Sequence, residues 1–285
     1  MSRPLEILWR GPLDSCNYGC GYCPFAKRAP RRAMLAADRA ALAQFVAWVE
    51  AASQWSLELL FTPYGEALVW PWYRDALARI SHLPHVRGVT IQTNGSAPMA
   101  FVEAANLARL SLWISWHPSE ISIEPFVDKI SALHTRGVRL SVGAVALLDN
   151  LDAVEALRAA LPSGVPMWIN AQKPGVRYAG EALARWTALD PGFALDVTPH
   201  HSRGRRCDTG ETAISVDGEG TVRRCHFVEE VLGNLYTGDL ATMLAPRPCP
   251  RLRCDCYIGY AHLPDLGMRA VYGEGLLGRR RALSG

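Results

Sequence analysis

Hydrophobic positions along the chain follow two alternating periods. Compact apolar runs at Leu5–Arg10, Leu57–Thr62, Val86–Gln92, Leu110–Ser115, Arg139–Val145 and Pro166–Asn170 read as strands. Between them lie stretches with helical spacing. Asp38–Ala52 places Leu42, Phe45, Val46 and Val49 on one face, and Pro71–Ser81, Pro125–Arg136 and Leu151–Leu161 repeat the pattern. Six β/α units in succession predict parallel strands joined by right-handed crossovers, an order that suits an open doubly wound sheet or a barrel equally well. Polar residues collect where the strands end: Thr62-Pro63-Tyr64-Gly65-Glu66, Gln92-Thr93-Asn94-Gly95, Ser115-Trp116-His117 and Asn170-Ala171-Gln172-Lys173. In parallel α/β folds that end of the sheet is the functional face.

Beyond Asp190-Pro191-Gly192 the pattern changes. A boundary near residue 195 divides the chain into a large α/β unit, residues 1–195, and a small C-terminal unit, residues 196–285. The second opens on a basic stretch and a segment, Thr212–Cys225, whose alternation on both sides of a Gly-rich turn predicts a β-hairpin. The 285 residues are 49% hydrophobic, enough for a sizeable core. The net charge of +3 comes from scattered Lys and Arg, which argues against a nucleic-acid partner. No signal peptide is visible, and no apolar run reaches the roughly 20 residues needed to span a bilayer. A cytoplasmic protein with no membrane partner is expected.

In a reducing compartment, eight cysteines point to metal binding rather than a disulfide framework. Cys16, Cys20 and Cys23 lie in one short loop after the first strand. The next cysteine is more than 180 residues away, where Cys207, Cys225, Cys249, Cys254 and Cys256 form a second set. Thiolates suit zinc or iron–sulfur clusters, and four ligands saturate either. Three leave one metal position open, unless a remote His completes a zinc loop.

The loop Cys16-Asn17-Tyr18-Gly19-Cys20-Gly21-Tyr22-Cys23 has the Cys-x3-Cys-x2-Cys spacing, with an aromatic residue, Tyr22, before the last cysteine. In this it resembles the radical S-adenosylmethionine (SAM) superfamily. The resemblance implies a partial (β/α)6 TIM-like barrel and a 4Fe-4S cluster held by Cys16, Cys20 and Cys23. SAM would be chelated at the open iron and cleaved reductively to a 5′-deoxyadenosyl radical, which abstracts hydrogen from a substrate C–H bond. Tyr64-Gly65-Glu66 resembles the family's Gly-Gly-Glu motif, with Tyr64 in place of the first Gly, so that Glu66 would accept from the SAM ammonium. Asn94, Ser115 and His117 are further candidate SAM or substrate contacts. Gly143 lies in a segment, Ser141–Val145, similar to the one that packs against the adenine. Plainer readings stand beside these: a tight turn at Asn94-Gly95, a structural His117, close backbone packing at Gly143, and a surface position for His134.

The second cysteine set also resembles part of that superfamily. Cys207-x12-Gly220-x4-Cys225, with Val216–Val222 before the cysteine and Leu232–Leu235 after it, is similar to the SPASM or twitch extension and implies one auxiliary 4Fe-4S cluster. Cys254-x-Cys256 departs from the expected Cys-x2-Cys, which leaves open which two of Cys249, Cys254 and Cys256 are ligands. A zinc ribbon is the alternative. The resemblance implies an enzyme supplied by an electron donor such as flavodoxin or ferredoxin. Its substrate would be a ribosomally made peptide or a small natural-product intermediate. The absence of a leader-binding segment before the first strand weighs against the peptide. Trp113, Trp116 and Trp168, near strand ends, would stack a substrate or fill the core. From another class, a non-catalytic iron–sulfur carrier or a zinc-stabilised binding module fits the same cysteines.

Overall fold

The computed structural model describes residues 3–25, 28–173 and 175–280. Six parallel strands form its centre: β1 (Arg3–Arg10), β2 (Trp55–Phe61), β3 (Val86–Thr93), β4 (Leu110–Ser115), β5 (Arg139–Ala146) and β6 (Met167–Ala171). The connecting helices are α1 (Arg32–Ala51), α2 (Pro71–Ser81), α3 (Ile123–Thr135) and α4 (Leu151–Ala160), with α5 (Gly180–Leu189) and α6 (Phe193–Val197) after β6. Helix α1 begins six residues before the sequence pattern predicts, because its first turn contributes only half-buried Met34 and Leu35 to the core and the apolar stripe starts later. The third crossover departs from the β/α rule. Between β3 and β4 the chain makes only a 3₁₀ turn, Ala100–Ala104, before returning to the sheet.

The hairpin forms as expected from β8 (Ala213–Asp217) and β9 (Thr221–Arg223), and β10 (Val231–Asn234) follows it. Strand β8 pairs parallel with the free edge of β1, Ile7 opposite Ile214 and Arg10 opposite Asp217. One sheet therefore carries nine strands in the order β10-β9-β8-β1-β2-β3-β4-β5-β6, a partial TIM-like barrel extended at its first strand. Covering that edge satisfies a row of backbone donors and acceptors that a lone first strand would present to solvent. Two short strands, β7 (His200–His201) and β11 (Arg253–Cys254), pair separately.

The period of two assigns the faces. Leu5, Ile7 and Trp9, Leu57, Leu59 and Phe61, and Leu112 and Ile114 face the helices in one apolar core. On the inner face, Leu8, Leu60, Trp113 and Trp168 pack against Tyr257, Tyr260, Leu276 and Leu277 from the C-terminal part of the chain. On the same face, Glu6, Glu58, Thr90, Ser111 and Ser141 are buried polar groups that need partners. Arg269 donates to both Glu6 carboxylate oxygens, at 2.6 and 3.1 Å, and Ser141 Oγ donates to the Gly278 carbonyl at 2.8 Å. Arg279, 2% exposed, donates to Asn170 Oδ1 at 2.5 Å and lies over the rings of Tyr257 (4.3 Å) and Trp168 (4.8 Å). Segment 257–280 thus fills the concave side of the sheet.

Gly143 on β5 has no room for a side chain, since a β-carbon there would lie 2.0–2.2 Å from three ring atoms of Trp168. Trp168 is itself braced edge-on by Trp113 at 5.0 Å and donates to Ser141 Oγ at 3.2 Å. Gly143→Ala should therefore lower the unfolding free energy by about 1–3 kcal/mol, the usual cost of overpacking a rigid core. A denaturant midpoint equal to wild type would show that the indole moves freely aside.

Candidate active site at the carboxyl end of the sheet

The loop after β1 is drawn against the end of β2 by backbone contact. Glu66 N donates to the Ser15 carbonyl at 3.1 Å, and a β-carbon on Gly65 would sit 1.7 Å from that same oxygen. Only glycine permits the approach. Glu66, 1% exposed, is held by three donors: Leu68 N at 3.0 Å and Thr93 Oγ1 at 2.7 Å on one oxygen, Asn94 N at 2.5 Å on the other. Burial raises its pKa to about 7, against the lowering effect of these hydrogen bonds and of Lys129. Lys129 on α3 donates to the Gly95 carbonyl at 2.5 Å and so fixes the turn after β3.

Asn94 ties that turn to the cysteine loop. Its amide donates to Asn17 Oδ1 at 3.1 Å and to Cys16 Sγ at 3.7 Å, while its Oδ1 accepts from Ser96 N at 2.9 Å. The β4–α3 loop grips the other side. His117 Nδ1 and the Tyr22 hydroxyl share a hydrogen bond of 2.7 Å, and Glu120 accepts from Gly19 N at 3.2 Å. Burial lowers the His117 pKa to about 4, partly offset by Glu120, so the imidazole is neutral near pH 7.

Cys16, Cys20, Cys23, Gly65, Glu66, Asn94, Ser115 and His117, all singled out from the sequence, line one cavity of about 520 Å³. Tyr22 supports it through His117, and Gly143 lies apart from it beneath Trp168. Thr93 stands in the polar run ending β3 without a role assigned to it, and Lys129 escapes the sequence reading because nothing in the helical pattern distinguishes it. Among the described residues, no three His, Cys, Asp or Glu side chains converge on a single metal-ion position, and none of the eight cysteines is in a disulfide. Three thiols spread around one cavity, with its lining His117 engaged by the Tyr22 hydroxyl through Nδ1, fit a cluster with an open corner better than a mononuclear zinc site.

The second set gathers at the other side of β1. Cys207 and Cys249 are buried, and Cys225 and Cys254 are half-buried. Burial, followed by the proximity of Cys225, Cys207 and Cys249, pushes the Cys254 thiol up to about 12. Cys256 is within electrostatic reach of Asp196, Lys173 and Arg279 as well as of Cys254. The chain turns at Asp255 from β11 into the helical turn Tyr257–Tyr260, separating the last two cysteines. Buried Arg224, not flagged by the sequence, donates to the carbonyls of Arg247 (2.9 Å) and Pro248 (2.7 Å) and holds the segment that carries Cys249.

No family model matches the sequence, and no curated protein matches it. Solved structures do. anSMEcpe, an anaerobic sulfatase-maturating radical SAM enzyme, superposes in its structure with bound AdoMet at a TM-score of 0.56 and 12% identity, covering 84% of this chain and 77% of that one. Its complex with AdoMet and the Cp18Cys peptide gives 0.55 and 13%, covering 84% and 80%. The chain therefore shares the fold of that enzyme.

Gly65→Ala should prevent the cysteine loop from seating against β2. In the purified variant Cys20, buried in wild type, is expected to react several-fold faster with a thiol-alkylating reagent, as read by peptide mass. Labelling of Cys20 at the wild-type rate would show that the loop seats without the Gly65–Ser15 approach.

Proposed function

We propose that this chain is a radical SAM enzyme carrying a 4Fe-4S cluster on Cys16, Cys20 and Cys23 and an auxiliary 4Fe-4S cluster on Cys207, Cys225, Cys249 and Cys254. The observation that carries the reading is the convergence of the three thiols, the buried Glu66 carboxylate and the Asn94 turn on one cavity at the carboxyl end of a partial barrel. When bound, the cluster and SAM supply a 5′-deoxyadenosyl radical that abstracts hydrogen from a substrate C–H bond. The chain's own residues position and shield. Glu66, with three donors already in place, offers its carboxylate to the SAM ammonium, which removes the cost of burying that charge alone. Neutral His117 orients Tyr22 beside the last two cysteines and brings no competing positive charge to the cavity. Leu8, Leu60, Trp113 and Trp168, packed on segment 257–280, close the inner face below it against water.

The auxiliary assignment leaves Cys256 outside the ligand set, because Cys207, Cys249 and Cys254 belong to one packed cluster that does not include Cys256, and Cys225 lies within electrostatic reach of all three. Four thiolates saturate a cluster and restrict it to electron transfer. The peptide bound in anSMEcpe supports a peptide substrate, in the manner of peptide maturation, over a free small molecule. An electron donor of the flavodoxin or ferredoxin type completes the scheme.

Anaerobically reconstituted protein should hold about eight irons per chain, falling to about four in Cys20→Ala and in Cys254→Ala and staying at about eight in Cys256→Ala. Reduced wild type given SAM should release 5′-deoxyadenosine, and Cys20→Ala none. Equal yields from the two would sink the reading. SAM affinity should also rise with pH. Glu66 ionises near pH 7 and only its charged form pairs with the ammonium, so binding should be tighter at about pH 8 than at about pH 6. In Glu66→Gln binding should be weaker and lose this dependence. An unchanged pH profile in Glu66→Gln would assign the effect to another group.

A further inference from the structure

A second cavity, about 730 Å³, adjoins the first across Tyr64, which lines both. Its walls come from the end of β1 (Arg10, Gly11, Pro12), the first half of α1 (Ala37, Ala40, Ala41) and the hairpin turn (Asp217, Gly218, Glu219), with Arg223 and His226 beside them. Arg10 is the feature that asks for an explanation. Its Nε donates to the Thr62 carbonyl at 2.7 Å, and its guanidinium lies over the Tyr64 ring, 4.2 Å from the centroid. Phe25 packs against the other part of that stack, ring centres 5.1 Å apart. The guanidinium is therefore held in one plane by a backbone hydrogen bond and an aromatic face, which leaves its two terminal nitrogens available.

Among the described residues, no carboxylate pairs with Arg10. The nearest by strand register, Asp217, is already engaged: its Oδ2 accepts from Arg223 at 2.8 Å, and its Oδ1 accepts from the backbone of Glu219 and Thr221. His226 bonds Thr62 Oγ1 at 3.1 Å through Nε2, bringing an imidazole into the same corner. A fixed, half-buried guanidinium with no carboxylate partner among the described residues is a receptor for an oxyanion that presents two oxygens, a carboxylate or a phosphate. Tyr64, which departs from the Gly-Gly-Glu pattern, supplies the surface on which Arg10 is braced.

We infer that the cavity between β1, α1 and the hairpin is the anchoring subsite for the substrate, and that Arg10, braced on Tyr64, binds a carboxylate or phosphate group of it. This rests on reading the cavity around Cys16, Cys20 and Cys23 as the SAM site, because only then does a substrate anchored at Arg10 reach past Tyr64 to the reacting centre. Arg10 is a specificity-determining residue, and the substrate class is anionic: an acidic side chain or free carboxyl terminus of a peptide, or a phosphate ester.

The test uses the reconstituted holoprotein under anaerobic conditions with inorganic phosphate or acetate, against sodium chloride at matched ionic strength. Each anion also stabilises proteins non-specifically, and comparison with Arg10→Gln subtracts that contribution. Wild type should gain several degrees of thermal midpoint beyond Arg10→Gln, with Arg10→Lys in between, in whichever anion matches the substrate group. As a second measurement on wild type alone, phenylglyoxal labelling of Arg10, read by peptide mass, should slow roughly fivefold in the same anion. Equal midpoint gains in wild type and Arg10→Gln, or labelling that no anion slows, would overturn the inference. So would loss of the Arg10-dependent gain on adding SAM, since Arg10 would then belong to the SAM site. Neither measurement depends on SAM cleavage, so failure of the enzyme reading, seen as missing 5′-deoxyadenosine, is recorded separately.

Discussion

The approach of the Gly65 backbone to the Ser15 carbonyl is the contact on which the site depends. It brings two loops from neighbouring strands closer than any side chain would allow, and the adjacent Glu66 N–H makes the hydrogen bond that keeps them there. Everything above it is arranged relative to that seam. Asn94 reaches the cysteine loop only because β3 lies beside β2, and Thr93 and Asn94 can both bond Glu66 only because the carboxylate is pinned at the strand end. A buried carboxylate with three donors is costly without a cation and well placed for one.

Strand β1 links the two halves of the chemistry. The first three cysteines lie on its outgoing loop, and the hairpin leading to Cys225 is bonded along its other edge. A single register therefore sets how far apart the two cysteine sets stand, and the cavity holding Arg10 opens between them at the strand's end. The two adjoining cavities and the placing of the second cysteine set are consequences of one strand having partners on both sides.

Much of this was legible in the sequence wherever the signal is local. The six strands and the faces of α2, α3 and α4 follow from apolar spacing, Cys16, Cys20 and Cys23 stand out by their own spacing, and Glu66, Asn94 and Ser115 stand out in the polar runs where strands end. Interactions of long range left no such trace. The pairing of Ile7 with Ile214 joins segments about 200 residues apart, and either partner alone reads as an ordinary half-buried strand. Arg279 sits in a Gly- and Arg-rich stretch that looks like a solvated tail, and its burial is made tolerable by the Asn170 side-chain oxygen, the buried Asp190 carboxylate and the ring faces of Tyr257 and Trp168. Cys254 and Cys256 fall on either side of a bend at Asp255 that cysteine spacing does not encode. Lys129 was invisible because its work is done by a tip reaching a carbonyl on another element.

The pairing of β8 with β1 also determines how the molecule can be divided. Cut at residue 195, where composition suggests a boundary, the first fragment would keep all six parallel strands but expose the ladder groups of β1 from Glu6 to Arg10. It would also uncover a concave strip of Leu8, Leu60, Trp113 and Trp168. A bare strand edge beside an apolar trough is a template for self-association. The compositional boundary therefore marks a change of chemistry along the chain and not a line of cleavage, and a truncated version would be expected to aggregate before its cavity could be studied.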